Sequence, residues 1–153
     1  MNIKKDYIEK TKKYLEDLRM KLTRKENLQI EIEMLKERQR IEGGMDFNDI
    51  LRTGTSYRGI EDLIITYDSQ ITCKQAESER IDHYLRMYEL YSRSLSSFDK
   101  KILKLRYLES EKKISFVNIA KKLSYSKSAI ANIHDEAIEK LAFYIYGDAA
   151  TYI

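Results

Sequence analysis

Three polar side chains near the end of the chain have the types and the spacing for hydrogen bonds to nucleobases. Lys127, Ser128 and Asn132 follow Ser126 within a short stretch of sequence. An asparagine amide can pair with adenine through two hydrogen bonds, and a lysine can reach a guanine edge or a phosphate. On a helix these three side chains share one face with Ala131. The pattern therefore predicts a helix that reads bases in the major groove of DNA.

Two helices joined by a turn are needed to hold these side chains in place. The first helix is indicated by apolar residues at i, i+3, i+4 and i+7, which are Phe116, Ile119, Ala120 and Leu123. The interruption at residues 124–126 indicates a turn, and Ser126 is suited to cap the second helix. A second apolar stripe then comprises Ile130, Ile133, Ala137 and Leu141. Because small Ala120 lets the two helices approach closely, the sequence predicts a helix-turn-helix.

Three further residues are candidates for phosphate contacts. Lys121 and Lys122 end the first helix of the pair, and Tyr125 lies in the turn. Lysines on a surface that faces DNA neutralise phosphates and contribute affinity without sequence preference. Tyr125 has two interpretations, because its hydroxyl can bond a phosphate or its ring can pack beneath the turn.

Residues 97–141 resemble region four of bacterial sigma factors. The resemblance depends on the segments KKILKLRY (Lys100–Tyr107), ISFVNIAKKL (Ile114–Leu123), SYSKSAI (Ser124–Ile130) and AIEKL (Ala137–Leu141). It implies a module that binds promoter DNA through its second helix and touches RNA polymerase. The positions that match the family pattern are Ser126 for the cap and Lys127, Ser128, Ala131 and Asn132 for the face toward DNA.

The chain departs from the sigma pattern at Ala131 and Glu136, where basic residues are usual in that family. These departures favour a different operator or an extended contact surface over an ordinary promoter hexamer. The whole arrangement, a helical N-terminal part followed by a sigma-like module, resembles the ArpU/RinA group of small phage transcriptional regulators. That resemblance implies a DNA-binding regulator of phage or mobile-element type.

Two acidic residues oppose DNA binding if they lie close to phosphates. Asp135 and Glu136 occupy the outward face of the predicted second helix. They either lie beyond the edge of the DNA, or pair within the fold with Lys140 and Arg106.

Composition predicts an all-α protein. The chain has 153 residues, no proline and five glycines, so little interrupts its helices. Residues 97–153 carry 10 Lys and Arg against 7 Asp and Glu. A surplus this modest predicts weak DNA binding by one copy, and a homodimer would roughly double the contacts.

Residues 1–95 are predicted to form a long helical hairpin. One helix is expected over residues 2–42 and a second over residues 60–95, with a loop at about 43–59 that includes a short helical turn at Phe47–Leu51. The hairpin is either a self-contained scaffold or a dimerisation arm. The helix-turn-helix module follows at residues 97–146, and residues 147–153 are expected to be a tail.

The predicted buried stripes of the hairpin come from spacings of three, four and seven residues. The first stripe comprises Leu15, Leu18, Leu22, Ile32 and Leu35, and the second comprises Leu63, Tyr67, Ile71, Ile81, Leu85, Tyr88 and Leu95. Lys25 and Gln29 interrupt the first stripe and argue against a parallel leucine zipper. Tyr84, Tyr88 and Tyr91 either line the seam of the hairpin or form an exposed protein-binding surface.

The sequence gives little support to other classes of function. No glycine-rich phosphate loop, nucleophile with a base partner or set of metal ligands is recognisable, so neither an enzyme nor a cofactor is expected. Cys73 is expected to be a partly buried apolar side chain, and His134 to pack beside Ile130 and Ile133. The charge content and the absence of a signal sequence favour a cytoplasmic protein. The alternative function is an adaptor that binds RNA polymerase or another host protein without specific DNA binding.

Overall fold

The computed structural model describes residues 2–43 and 57–152, and within them the protein is helical. The helices are α1 (Lys5–Gly43), α2 (Tyr57–Ser92), α3 (Ser97–Leu103), α4 (Phe116–Leu123) and α5 (Lys127–Tyr146). α3 continues into a π-helical turn at Lys104–Leu108, and α5 is followed by a 3₁₀ turn at Gly147–Ala150. The only extended pairing in the described ranges is one antiparallel bridge, Ile3 to Thr151. The predicted all-α class is therefore confirmed.

The second long helix begins and ends about three residues earlier than predicted. α2 begins at Tyr57 and ends at Ser92, and Leu95 lies outside it although its side chain is buried. Ser96 has extended backbone angles and its hydroxyl accepts a hydrogen bond from the Asp99 N–H, so it starts α3. A residue that caps the next helix cannot continue the previous one, so α2 must end before it. Most of the predicted loop at 43–59, with the turn at Phe47–Leu51, lies outside the described residues.

The chain divides into two compact units, and the division differs from the predicted domains. The larger unit comprises Met1–Leu22 and Tyr84–Ile153, and the smaller unit comprises Thr23–His83. The start of α1 and the end of α2 thus belong with the C-terminal helices, because they supply part of the same apolar core. Leu15 of α1 and Leu95 lie in one buried cluster with Leu103, Tyr107 and Leu141.

Tyrosines fill one side of the larger unit. The Tyr14 ring lies 5.3 Å from the ring of Tyr84 and 6.4 Å from the rings of Tyr88 and Tyr91, measured between centroids. All four side chains are half-buried. Burial raises the pKa of Tyr88 to about 12. Of the two interpretations of these tyrosines, packing between helices is the one the structure supports.

The segment expected to be a tail packs against the start of the chain. Ala150 is fully buried. The Lys4 N–H donates to the Ala150 carbonyl at 2.8 Å, and the Tyr152 N–H donates to the Asn2 carbonyl at 3.2 Å. Residues 150–152 therefore belong to the larger unit.

In the smaller unit, polar side chains join α1 to α2. Arg24 pairs with Glu77 at 2.9 Å, Lys25 pairs with Asp82, and Lys74 pairs with Glu31 at 3.1 Å. Arg24 and Lys25 pair with residues later in α2 than Lys74, the partner of Glu31, so the two segments run antiparallel. Among the described residues of this unit, the buried apolar ones are Leu28, Tyr67, Ile71 and Ile81.

Two expectations for individual positions of these helices, those for Leu63 and Cys73, were wrong. Leu63 is exposed, although it was placed in the buried stripe, and Leu28, which was not, is fully buried. Cys73 is exposed rather than partly buried. It follows buried Ile71 by two residues, which is about 200° around a helix, and so faces away from α1.

Candidate nucleic-acid interface

Serine caps fix the start of each helix in the candidate interface. The Ser115 hydroxyl accepts a hydrogen bond from the Asn118 N–H at 3.2 Å, and α4 begins at Phe116. The Ser126 hydroxyl accepts one from the Ala129 N–H at 3.1 Å, and α5 begins at Lys127. Each hydroxyl satisfies a backbone donor that has no partner inside the helix. The predicted cap at Ser126 is confirmed.

The turn between α4 and α5 has a defined backbone. Ser124 has φ 59° and ψ 41°, the left-handed conformation that reverses the chain after a helix. The N–H groups of Ser124 and Tyr125 both donate to the Ala120 carbonyl. These hydrogen bonds satisfy a carbonyl at the end of α4 and fix the direction in which α5 leaves the turn.

The inner sides of α4 and α5 meet over a small apolar cluster. Ile119, Ala120 and Ile130 are buried together with Ile102 and Leu105 from the preceding helix and π-helical turn. Ala120 is buried at the position where a small residue was expected. With these residues inside, the opposite side of α5 is directed to solvent.

Most of the predicted DNA-contacting residues lie on that outer surface. Ala131 alone is half-buried, and the exposed residues are Lys121, Lys122, Tyr125, Ser126, Lys127, Ser128 and Asn132. Lys127, Ser128, Ala131 and Asn132 occupy the first turns of α5, while the two other lysines occupy the last turn of α4. Lysine side chains thus lie on both sides of the turn, and the Asn132 amide lies further along α5.

Tyr125 rests on an aromatic residue that the sequence analysis did not single out. Its ring centroid lies 5.0 Å from that of Phe98 in α3, and half of its surface remains exposed. The ring is therefore supported from below while the side chain stays accessible. Phe98, Ile102 and Leu105 follow one another at i, i+4 and i+7, so helical periodicity was a signal that could have found Phe98.

Of the two interpretations of Asp135 and Glu136, pairing with Lys140 and Arg106 is not what the structure shows. Lys140 lies 4.0 Å from Asp99, and Arg106 donates to the Ile114 carbonyl at 2.7 Å. Arg106 also lies over the Phe116 ring, 4.1 Å from its centroid. Asp135 instead pairs with its neighbour His134, and both Asp135 and Glu136 are exposed.

His134 is buried within a hydrogen-bonded network under α5. Its Nε2 lies 2.8 Å from the Tyr107 hydroxyl, and its Nδ1 lies 2.9 Å from the Asp135 carboxylate. Because a carboxylate can only accept, Nδ1 carries the proton, and the Tyr107 hydroxyl then donates to Nε2 of a neutral ring. Burial lowers the pKa of His134 below its ordinary value and outweighs the opposing effect of Asp135. The expected packing beside Ile130 and Ile133 missed this network.

The network joins α5 to the π-helical turn. Tyr107 lies in that turn and is buried, and burial raises its pKa to about 12. The Phe116 ring of α4 packs edge-on against His134 with 4.8 Å between centroids. The turn, α4 and α5 thus meet at one buried histidine, which orients the surface that carries Asn132 and Asp135.

In residues 2–43 and 57–152 there is no group of three His, Cys, Asp or Glu side chains arranged to hold a metal ion. None of the helices in those ranges is both long enough and apolar enough to cross a membrane. Comparisons of this chain with protein-family models, with curated proteins and with solved structures find no match.

Proposed function

We propose that this protein is a sequence-specific DNA-binding transcriptional regulator that inserts the start of α5 into the major groove. The observation that carries the proposal is the exposed row of Lys127, Ser128 and Asn132 on a helix whose opposite side is buried. In this interpretation α4, the turn and α5 form a helix-turn-helix, and α1 with α2 forms a helical hairpin.

The chemistry of the row suits duplex DNA. Asn132 can donate to and accept from one adenine, and Lys127 can reach a guanine edge or a phosphate. The first N–H groups of a helix, and the partial positive charge there, also favour a nearby phosphate. Lys121, Lys122 and Tyr125 flank the row and supply phosphate contacts, which set the register of the protein on the duplex.

The acidic residues limit how far along α5 the DNA can lie. Asp135 and Glu136 are exposed one turn after Asn132, and Asp135 is held by the His134 ring. Carboxylates close to phosphates are unfavourable, so base contacts are confined to the stretch from Lys127 to Asn132. Each copy of the protein would then contact only a few base pairs. Two copies on an operator with two half-sites would read a longer sequence.

RNA polymerase is the second candidate partner. The resemblance to region four of sigma factors is what supports it, and that resemblance covers the part of the chain that includes α3, α4 and α5. Contact with polymerase would strengthen binding of the protein at a promoter. A regulator of phage or mobile-element type is the functional class that we propose.

The first experiment identifies the DNA site. The purified protein is incubated with fragmented DNA from its source genome at near-physiological salt, and the retained fragments are sequenced. We expect enrichment of one or a few sites. A flat profile, together with the absence of duplex binding at any salt concentration, would overturn the proposal in favour of an adaptor that binds protein.

The second experiment tests the surface on the enriched site. Lys127→Glu should abolish specific binding and leave the thermal unfolding temperature nearly unchanged, because Lys127 is exposed. The control is Lys36→Glu, which alters an exposed residue of α1 and changes the net charge by the same amount. This variant should retain specific binding. Loss of one phosphate contact lowers the slope of log K against log salt by about 1. Equal loss of binding in both variants would contradict the assignment of α5 to the groove.

A further inference from the structure

Helix α3 and the π-helical turn carry three lysines that the proposed interface does not use. Lys100, Lys101 and Lys104 are exposed. Within residues 2–43 and 57–152, none of the three forms an ion pair. An exposed lysine whose charge is not matched inside the fold is free to neutralise an external anion, and DNA phosphates are such anions.

The acidic residue of this segment is directed to another side of α3. Asp99 is the only Asp or Glu in residues 97–108. Its carboxylate lies 4.0 Å from the Nζ atom of Lys140, and its side chain is only 13% exposed. Lys140 belongs to the second half of α5, so Asp99 faces that part of α5. Lys101 follows Asp99 by two residues and lies about 160° away from it around the helix.

Contact between Phe98 and Tyr125 places one side of α3 next to the turn that precedes α5. The two ring centroids are 5.0 Å apart. Lys101 lies about 60° from Phe98 around the helix and one turn further along, whereas Lys100 lies about 160° from Phe98. Of these two neighbouring lysines, Lys101 is therefore beside the aromatic pair and Lys100 faces away from it. Lys104 lies further from Phe98, in the π-helical turn.

Lys101 adds a third helix to the cations around the turn. Lys121 and Lys122 end α4, and Lys127 begins α5. The exposed carboxylates of α5 lie more than two turns after Lys127, at residues 135 and 136. Like charges that are gathered in one region repel each other, and a bound anion offsets this repulsion. A DNA strand supplies a row of such anions.

We propose that Lys101 contacts a backbone phosphate of the duplex that α5 reads. The DNA would then extend from the start of α5, past the Phe98 and Tyr125 rings, to α3. This contact depends on the proposed function, which it deepens by adding a residue outside α4, the turn and α5. Phosphate contacts fix the orientation of a protein on the duplex, and one made by α3 would limit rotation of the module about α5.

Binding at a series of salt concentrations tests the contact, on the enriched site and on an unrelated duplex. Lys101→Ala should weaken binding to both duplexes about eightfold at 0.1 M salt, since each neutralised phosphate of B-DNA contributes about 0.9 to the slope of log K against log salt. The loss should shrink as salt approaches 1 M. The ratio of the two affinities should stay unchanged, because phosphate contacts carry no sequence information.

The matched control is Lys100→Ala, which removes the same charge from the adjacent exposed position. This variant should keep the affinity and the salt slope of the unaltered chain. Unchanged affinity in Lys101→Ala, or an equal loss in Lys100→Ala, would overturn the α3 contact and leave the proposed function in place. Failure of the unaltered chain to bind any duplex would overturn the proposed function, and the α3 contact with it.

Photo-cross-linking tests the position of α3 without relying on affinity. In a Cys73→Ser background, Lys101→Cys and Lys100→Cys are each labelled with a short aryl azide and irradiated on the enriched site. Covalent attachment to DNA should be efficient from residue 101 and weak from residue 100. Equal yields, or a higher yield from residue 100, would contradict the proposed contact.

Discussion

Fully buried apolar side chains are concentrated in the larger unit, whereas polar contacts predominate in the smaller one. The larger unit buries Leu15, Leu103 and Ile138 completely, with other members of the same core, and starts three helices with serine caps. Among the described residues of the smaller unit only Leu28 is fully buried, and partly exposed ion pairs join α1 to α2. Ion pairs of this kind contribute little to stability. The larger unit is therefore held mainly by a packed apolar core, while the smaller unit depends more on partly exposed polar contacts.

The largest effect that would test this comparison comes from removing a fully buried side chain of the larger unit, with an exposed side chain of the smaller unit as the control. Ile130→Ala should lower the free energy of unfolding by about 2–5 kcal/mol, because the side chain is fully buried in the larger unit. Ile65→Ala, at an exposed position of the smaller unit, should change it by less than about 0.5 kcal/mol. Both values come from urea unfolding at one protein concentration. Equal losses would contradict the burial of Ile130 in the core of the larger unit.

The pH dependence of stability should report the buried histidine of the larger unit. Burial lowers the pKa of His134, so the unfolded chain binds a proton at a higher pH than the folded one. The stabilisation from neutral His134 is therefore fully present above pH 6.5, the ordinary pKa of histidine, and is lost as the pH falls below that value. The free energy of unfolding then changes by at most about 1.4 kcal/mol per pH unit.

Two variants separate this effect from other titrations. His134→Gln should remove the slope between the two pKa values of the histidine. His83→Gln, at an exposed position of α2, should keep it. The measurement is the midpoint of urea unfolding at a series of pH values, and an unchanged slope in His134→Gln would contradict the assignment.

The smallest effect is expected from the ion pairs of the smaller unit. Glu31→Gln removes the carboxylate that lies 3.2 Å from Arg24 and 3.1 Å from Lys74. The loss of stability should be smaller than that of Ile130→Ala and should vanish as salt is raised, because exposed charges are screened over about 10 Å at 0.1 M. Glu79→Gln, at an exposed position of α2, is the control. A loss that persists at 1 M salt would show that the pairs are not simply surface contacts.

Local patterns were sufficient to predict the helices and the candidate surface. Periodicity placed Ile119 and Ile130 inside, and the residue type at Ser126 placed the cap, because both depend on neighbours within one or two turns. The exposure of Lys127 and Asn132 followed from the same helical geometry.

Contacts between distant parts of the chain were not predictable in this way. Tyr107 and His134 are 27 residues apart and form a hydrogen bond that no local spacing encodes. The π-helical turn at Lys104–Leu108 and the burial of Leu28 likewise depend on packing between helices.

The pairing of the first and last described residues has a mechanical consequence. Asn2 and Tyr152 share a backbone hydrogen bond, and Lys4 and Ala150 share the next one along the antiparallel bridge. A pulling force applied between residues 2 and 152 would load these bonds one after the other, as in opening a zipper, rather than shearing them together. Under tension the larger unit would therefore begin to yield at this bridge, before the core around Leu141 bears the load.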